Sequence, residues 1–253
     1  MKIVIIGGTG LIGSKVVTCL RGHEHQAIPA SPDTGVNTLT GEGLDQVLDG
    51  AAVVVDVSNS PSFEDSAVLK FFETSTGNLL AAEGRARVGH HVALSIVGCD
   101  RVPESGYLRA KVAQEKLIRA SPIPYSIVRS TQFFEFFKRI ADEATVGKEV
   151  RIPSVRFQPI AAADVANEVC RVAEGPPLNK VIEVAGPEQY RFDDFIRSGL
   201  SERHDPREVI ADPRAPYFGA VLSERMLVPD VGSDATLGKT QFEDWLDRSA
   251  IPA

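Results

Sequence analysis

The first thirteen residues constrain this chain more than anything that follows. Lys2-Ile3-Val4-Ile5-Ile6 is a short β-branched run, the pattern of a strand buried on both faces. Gly7-Gly8-Thr9-Gly10-Leu11-Ile12-Gly13 ends it abruptly, and apolar residues then recur at helical spacing through Leu11, Ile12, Val16, Val17 and Leu20. Strand, glycine turn and helix in that order open a βαβ unit. Residues 8–13 fit Gly-x-Gly-x-x-Gly, and Gly7, Gly10 and Gly13 fit the related Gly-x-x-Gly-x-x-Gly. The first glycine permits a tight turn, the middle one lets backbone approach a pyrophosphate, and the last lets helix pack closely on strand. Free N–H groups and the positive end of the helix dipole then face the phosphates. Gly7, Thr9, Gly10, Leu11, Ile12 and Gly13 are therefore the expected dinucleotide cradle.

The rest of the pattern extends that unit. Strand-like runs at 26–30, 52–57, 91–96 and 125–128 alternate with helical spacing at 44–48, 63–83 and 107–120. This predicts an α/β fold, a Rossmann doubly wound parallel sheet with helices on both faces, in the order 3-2-1-4-5. After Arg129 the alternation loosens. A helix is expected over 132–144, short strands at 150–152 and 158–160, a helix over 165–173 capped by Asp164, and a further sheet strand at 181–184. Helical spacing at 192–200 and 238–248 suggests a small C-terminal substrate lobe. The domain expectation is a Rossmann NAD(P)-binding core at 1–130 and a substrate-binding portion at 131–253, with 158–186 contributing elements back to the core.

A chain of 253 residues buries a sizeable core without staples. Its formal net charge of −7 argues against a broad nucleic-acid footprint. No stretch approaches the roughly 18 apolar residues of a membrane span, and the opening apolar run is too short for a signal peptide. A cytoplasmic protein, monomer or homodimer, acting on a small molecule with no nucleic acid or membrane partner is expected. Cys19, Cys99 and Cys170 lie far apart among apolar neighbours and read as reduced, buried, inert thiols. His23, His25, His90, His91 and His204 lack ligand spacing, so no metal is expected, and His90 and His91 read as solvated turn residues.

Two features qualify the glycine loop. NAD-binding chains usually carry an acid on the adenosine ribose after the second strand, whereas this one has Ala30-Ser31-Pro32-Asp33. With Asp33 late and behind a proline, Ser31 is the expected ribose or 2′-phosphate partner. The lean is to NADP, with NAD the other possibility. Tyr107-Leu108-Arg109-Ala110-Lys111 then places a phenol and an ammonium on one helix face, four residues apart. A neighbouring cation lowers a phenol's pKa, so Tyr107 can pass a proton as hydride moves to or from a carbonyl carbon. Ser95, at the end of the preceding strand, is placed to hydrogen-bond the substrate oxygen.

Gly7–Gly13, Ser95-Ile96-Val97-Gly98 and Tyr107…Lys111 stand in the order found in the short-chain dehydrogenase/reductase superfamily, which the chain resembles. Asp56-Val57-Ser58-Asn59, Thr76-Gly77-Asn78-Leu79-Leu80, Pro124–Arg129, Gln158-Pro159-Ile160 and Asp164-Val165-Ala166 look most like its atypical, NmrA-like branch. The resemblance covers residues 1–190. It implies Tyr107 as acid/base, Lys111 holding the nicotinamide ribose and lowering the tyrosine pKa, and Ser95 orienting substrate. It also implies Ser58 and Asn59 beside the adenosine-side ribose, and Thr131 and Phe133, within the 130–134 loop, near the nicotinamide. Phe133, Phe134, Phe136 and Phe137 crowd the following segment, and at least two belong to the core. Gln132, Phe134 and Phe137 are the expected substrate contacts, with Tyr217, Phe218 or Trp245 completing an apolar pocket. Arg129 suits substrate recognition or a structural bond equally. The asparagine that many members carry on the helix after the third strand is missing, its nearest positions being Phe72 and Glu73. The expected activity is an NAD(P)H-dependent oxidoreductase acting on a small apolar carbonyl or quinone. The rival expectations are a non-catalytic NAD(P) sensor of the NmrA type and a sugar-nucleotide epimerase or dehydratase.

Overall fold

The computed structural model describes residues 1–249. β1 (Lys2–Ile6) leads through the glycine turn into α1 (Leu11–Gly22), followed by β2 (Gln26–Ala30), α2 (Leu44–Leu48), β3 (Val53–Asp56), α3 (Asp65–Ala86), β4 (His90–Ile96), α4 (Gly106–Ala120) and β5 (Tyr125–Ser130). Then come α5 (Phe137–Glu143), β6 (Thr145–Val146), β7 (Glu149–Ile152), β8 (Arg156–Phe157), α6 (Ala162–Glu174), β9 (Val181–Ala185) and β10 (Tyr190–Arg191). The described residues end with α7 (Phe192–Glu202), β11 (Glu208–Ala211), β12 (Pro216–Tyr217), β13 (Ala220–Val221), β14 (Thr236–Leu237) and α8 (Phe242–Ser249).

Seven parallel strands form the central sheet in the order β14-β9-β5-β4-β3-β1-β2. Its two faces follow from strand alternation. Ile3 and Ile5 join Val53, Val55 and Val92 on one side, under Val16, Val17 and Leu20 of α1 and Val165 and Val169 of α6. Val4, Ile6 and Val54 face the other side, under Leu44 and Leu48 of α2 and Leu79 and Ala82 of α3. The doubly wound fold is as the sequence predicts, but the strand order is not. The third strand pairs with β1 rather than lying outside β2, which stays at the sheet edge. Pro29 explains part of this, because a proline in β2 suits an edge strand that needs no second ladder. The segment from Ser31 to Gly43 explains the rest. Gly35, Gly41 and Gly43 all have positive φ, so the chain coils there and crosses β1 through the short α2.

The region after β5 departs from expectation in detail. Gln132 and Phe133 are extended, Phe133 bridging to Ile160, and the helix expected from 132 begins only at Phe137. α6 starts at Ala162 rather than beyond Asp164. The Glu135 carboxylate accepts from the Ala162 N–H, while Asp164 accepts from the N–H groups of Lys239 and Thr240 and so ties the C-terminal segment to the core. Phe134, Phe137, Phe157, Phe192, Phe195 and Phe242 build a separate aromatic core beneath the C-terminal lobe, the Phe157 and Phe192 rings stacked at 4.1 Å.

Two sets of side chains sit elsewhere than the sequence suggests. His90 and His91 are buried in β4, not solvated. His90 Nε2 lies 2.8 Å from the Ser126 hydroxyl, and His91 Nδ1 lies 2.8 Å from the Glu83 carboxylate. Cys19 and Cys170 are joined as a disulfide between α1 and α6, with Cα atoms 6.5 Å apart, whereas Cys99 is a buried free thiol. The pairing spans 151 residues and became possible only when α6 folded back over α1.

Burial, helped by the neighbouring His91, pushes the His90 imidazole down to about 4. Burial also pushes His91 down, but the Glu83 carboxylate outweighs it and holds His91 above its ordinary value. The two act in opposite directions. Below pH 6.5 the unfolded chain takes up a proton that folded His90 refuses until about pH 4, so His90 removes stability across that window. His91 contributes stability that is complete below 6.5 and is lost as pH rises through its folded value. His90→Gln should therefore gain on the wild type by about 2–3 kcal/mol between pH 7 and 4.5, measured by urea denaturation.

Candidate functional site

A cavity of about 650 Å³ opens at the carboxyl ends of β1 to β5. Ligands of open α/β sheets bind on this side, at the point where the winding reverses, here between β1 and β3. Of the residues expected to hold a dinucleotide, Gly7, Thr9, Gly10, Leu11, Ile12, Ser31, Ser58, Asn59, Ser95, Lys111, Thr131 and Phe133 line it. Gly13 lies beneath, where a Cβ would collide with the Gly7 carbonyl oxygen, so its task is packing. Gly7 has φ +76°, a conformation that favours glycine. At Gly10 a Cβ would have one neighbour, the Gly7 oxygen at 3.3 Å, and would otherwise project into open space.

The walls carry buried polar atoms with no protein partner: Ser31 Oγ, Thr131 Oγ1 and Gln132 Oε1. Buried polar groups are normally satisfied. These three stand at the two ends of the cleft, Ser31 after β2 and Thr131-Gln132 after β5, where the ends of a bound dinucleotide would meet them. The residues present thus fit a nicotinamide dinucleotide. Asn78 Nδ2 donates to the carbonyls of Thr38 and Leu39, pinning the coil after β2 to α3, so that Val36–Leu39 become part of the wall.

Tyr107 and Lys111, on one face of α4, also open into this cavity. The phenol donates to Asn59 Oδ1 at 3.1 Å and packs among Phe63, Phe72 and Phe218. The Lys111 ammonium is buried, donates to the Leu94 carbonyl at 2.9 Å and to Gln114 Oε1, and lies 4.5 Å from the centre of the Phe72 ring.

No protein-family model matches the chain. A curated relative, photosystem II assembly factor Ycf39 of Cyanophora paradoxa, is 22% identical over 223 residues, 80% of this chain and 68% of the relative. A solved short-chain dehydrogenase/reductase superfamily protein of Agrobacterium tumefaciens, with bound NAD, superposes with a TM-score of 0.74 at 14% identity, over 99% of this chain and 96% of the other. MoeE5, in complex with UDP-glucuronic acid and NAD, gives a TM-score of 0.74 at 17% identity, over 98% and 97% of the two chains. At these identities the likeness shows the fold, a Rossmann-type doubly wound α/β sheet shared with solved dehydrogenase/reductase structures.

Against the superfamily pattern, three local departures stand out. The first is Ser95. Its hydroxyl donates to Glu115 Oε1 at 2.7 Å rather than facing a substrate with a free proton. Glu115 is held in turn by Arg129, Nε to Oε1 at 2.8 Å and Nη2 to Oε2 at 2.8 Å, and Arg129 also reaches Asp100 at 2.8 Å. Burial pushes the Glu115 carboxyl up, but the Arg129 guanidinium outweighs it and holds it below the usual range. Arg129 is therefore structural.

The second departure is the phenol. Burial pushes Tyr107 up to about 12, against its hydrogen bond with Asn59 and the charge of Arg139, so the expected lowering by Lys111 is absent. Lys111 is itself brought down to about 8 by burial, opposed by the Asp56 carboxylate. Gln114 relays between them: it accepts from Lys111 and donates to Asp56 Oδ2 at 2.9 Å, while Asp56 Oδ1 accepts from the Ser58 N–H and hydroxyl. Asp56 entered the sequence analysis only as part of the 56–59 segment, and Gln114 not at all, because one ends a buried strand and the other sits in a helix interior, with no spacing to join them.

The third departure concerns the aromatic segment. Phe134 and Phe137, the expected substrate contacts, are core residues, and Trp245 packs on both of them. Phe133 and Phe136 line the cavity instead, with Gln132, Phe71, Tyr217 and Phe218. Phe133 is an extended bridge residue and Phe134–Phe136 form a 3-10 turn before α5, so Phe133 and Phe136, three apart, share the cavity side while Phe134 and Phe137 share the core side.

The Glu115–Arg129 pair yields a stability test. Arg129→Met leaves the buried Glu115 carboxylate with only the half-exposed Arg119 and the Ser95 hydroxyl, and should cost up to ~3–5 kcal/mol in urea unfolding. The double variant Arg129→Met/Glu115→Leu should recover most of that loss.

Proposed function

We propose that this chain is a nicotinamide-dependent reductase acting on a small apolar carbonyl or quinone. The observation that carries the reading is that Tyr107 and Lys111 open into the cavity that begins at the glycine loop. A phenol held at about 12 keeps its proton at neutral pH, although the raised pKa makes it a weaker acid than free tyrosine. The protonated form is the one that reduction starts from, because the oxygen of the acceptor must gain a proton.

When bound, a reduced nicotinamide supplies the hydride. Tyr107 exchanges its bond to Asn59 for one to the substrate oxygen and delivers the proton there. Lys111 keeps a positive charge on the cavity wall at neutral pH, where it would hold the nicotinamide ribose. Phe71, Phe133, Phe136 and Phe218 exclude water and present aromatic faces to a flat, apolar substrate. At the other end Asp33 lines the cavity beside Ser31, and no lysine or arginine does so there. A carboxylate without a compensating cation repels a 2′-phosphate, so the reading favours NAD(H) over the NADP(H) suggested by sequence.

A second reading has a specific observation behind it. The Ser95 proton is committed to Glu115, and the curated relative is named as an assembly factor. A chain that binds dinucleotide and responds by docking a partner needs the cradle but not the serine.

Fluorescence titration with NADH and NADPH should show saturable binding, tighter for NADH. Oxidation of NADH by a panel of quinones and aromatic aldehydes should fall ~10²–10⁴-fold in Tyr107→Phe with binding preserved. Binding without turnover on the whole panel selects the second reading, and failure to bind either dinucleotide removes both. A further check is pH: kcat/KM should decline above about pH 8 as Lys111 loses its proton, and Lys111→Met should abolish that limb.

A further inference from the structure

The seam between α1 and α6 holds a set of donor groups that the dinucleotide cavity does not use. Cys19 and His23 stand four residues apart at the end of α1, and Cys170 and Glu174 stand four apart at the end of α6. Each pair therefore projects from one helix face, and the two faces meet. The donor atoms of Cys19, His23 and Cys170 all lie within 4.8 Å of one another. His23 Nδ1 is 4.0 Å from Cys170 Sγ and 2.7 Å from Glu174 Oε1. His25 Nε2 lies 3.2 Å from the same Glu174 oxygen. Cys170 is buried, Cys19 and Glu174 are half-buried, and His23 is exposed, so the cluster is open to solvent on one side.

We propose that the reduced form of this cluster is a binding site for a Zn²⁺-class cation, ligated by Cys19, His23, Cys170 and Glu174. Two thiolates, an imidazole and a carboxylate are four donors of the types zinc takes in tetrahedral sites. Bonds of about 2.3 Å to sulfur and about 2.0 Å to nitrogen and oxygen place tetrahedral ligands roughly 3.3–3.8 Å apart. The observed sulfur–nitrogen separation is close to that, and Cα atoms 6.5 Å apart leave room for the two sulfurs to separate by side-chain rotation. His25, bonded to Glu174, is a positioning residue that orients the carboxylate.

The disulfide seen in the structure is the metal-free alternative. A phosphine reductant with one water converts it to two thiols and phosphine oxide, the phosphorus being oxidised and the sulfurs reduced by two electrons. Binding the cation to the dithiol then releases the two thiol protons. Either form fastens the helix that starts at the glycine loop to α6, across 151 residues of sequence.

The full chain, reduced by a phosphine, desalted without oxygen and titrated with Co²⁺ as probe, tests this. Expected are saturation at one equivalent, intense near-ultraviolet sulfur-to-cobalt absorption, visible bands of a tetrahedral ion, and displacement by Zn²⁺. Zn²⁺ should also shield two thiols from a disulfide reagent. Cys19→Ser and Cys170→Ser should lose the sulfur bands, and the unreduced protein should show none. His23→Ala and Glu174→Gln keep both thiols and should weaken Zn²⁺ binding at least tenfold, while Cys99→Ser should leave the cobalt spectrum unchanged. Absence of sulfur-to-cobalt absorption in the reduced wild type overturns the proposal. So do equal Zn²⁺ affinity in His23→Ala and Glu174→Gln, and a bond that resists reduction while the protein stays folded.

Discussion

The approach of α1 to β1 at the glycine turn sets the position of everything above the sheet. Gly13 tolerates no Cβ because the Gly7 oxygen occupies its place, and a Cβ on Gly8 would come within 2.6 Å of Pro29. With these contacts made, the N-terminus of α1 points across the carboxyl ends of the strands. The cavity forms where the chain leaves β1 for one face and β3 for the other. The C-terminal lobe then adds a lid from Tyr217 and Phe218, held over α4 by the contact between Phe218 and Tyr107 at 5.1 Å.

Beneath this cavity lies a layer of paired charges. Asp56, Gln114 and Lys111 form one chain of hydrogen bonds, and Ser95, Glu115, Arg129 and Asp100 form another. Burying charges is costly unless each finds a partner. Pairing them here leaves a preorganised floor with one cation near neutrality, Lys111, and one phenol that keeps its proton. The same pairing withdraws Ser95 from substrate chemistry, and so one arrangement underlies both the reductase reading and its rival.

Much of the site was legible because its signals are local. The glycine loop, Ser31 after β2, Ser58-Asn59 after β3, and Tyr107 with Lys111 on one helical face all follow from short-range periodicity, and all reach the same cavity. The aromatic segment was not legible. Four phenylalanines in five residues declare apolarity, but their division between core and cavity depends on whether Phe133 is extended or helical. The bridge to Ile160 decides that, from 27 residues away. Strand order was missed for a related reason: only the coil through Gly35, Gly41 and Gly43 shows that no strand forms outside β2.

By itself the sequence determined the parallel α/β architecture, the place of the dinucleotide cradle and the helix carrying Tyr107 and Lys111. Each is written in spacing along one strand or helix and in what glycine alone permits. Tertiary structure decided the properties of those groups. Burial set the protonation of Tyr107 and Lys111, a distant arginine and glutamate committed Ser95, and the packing of α6 on α1 brought Cys170 and Glu174 to Cys19 and His23. These outcomes depend on the dielectric surroundings and on partners far off in the chain. Neither is encoded at the positions themselves.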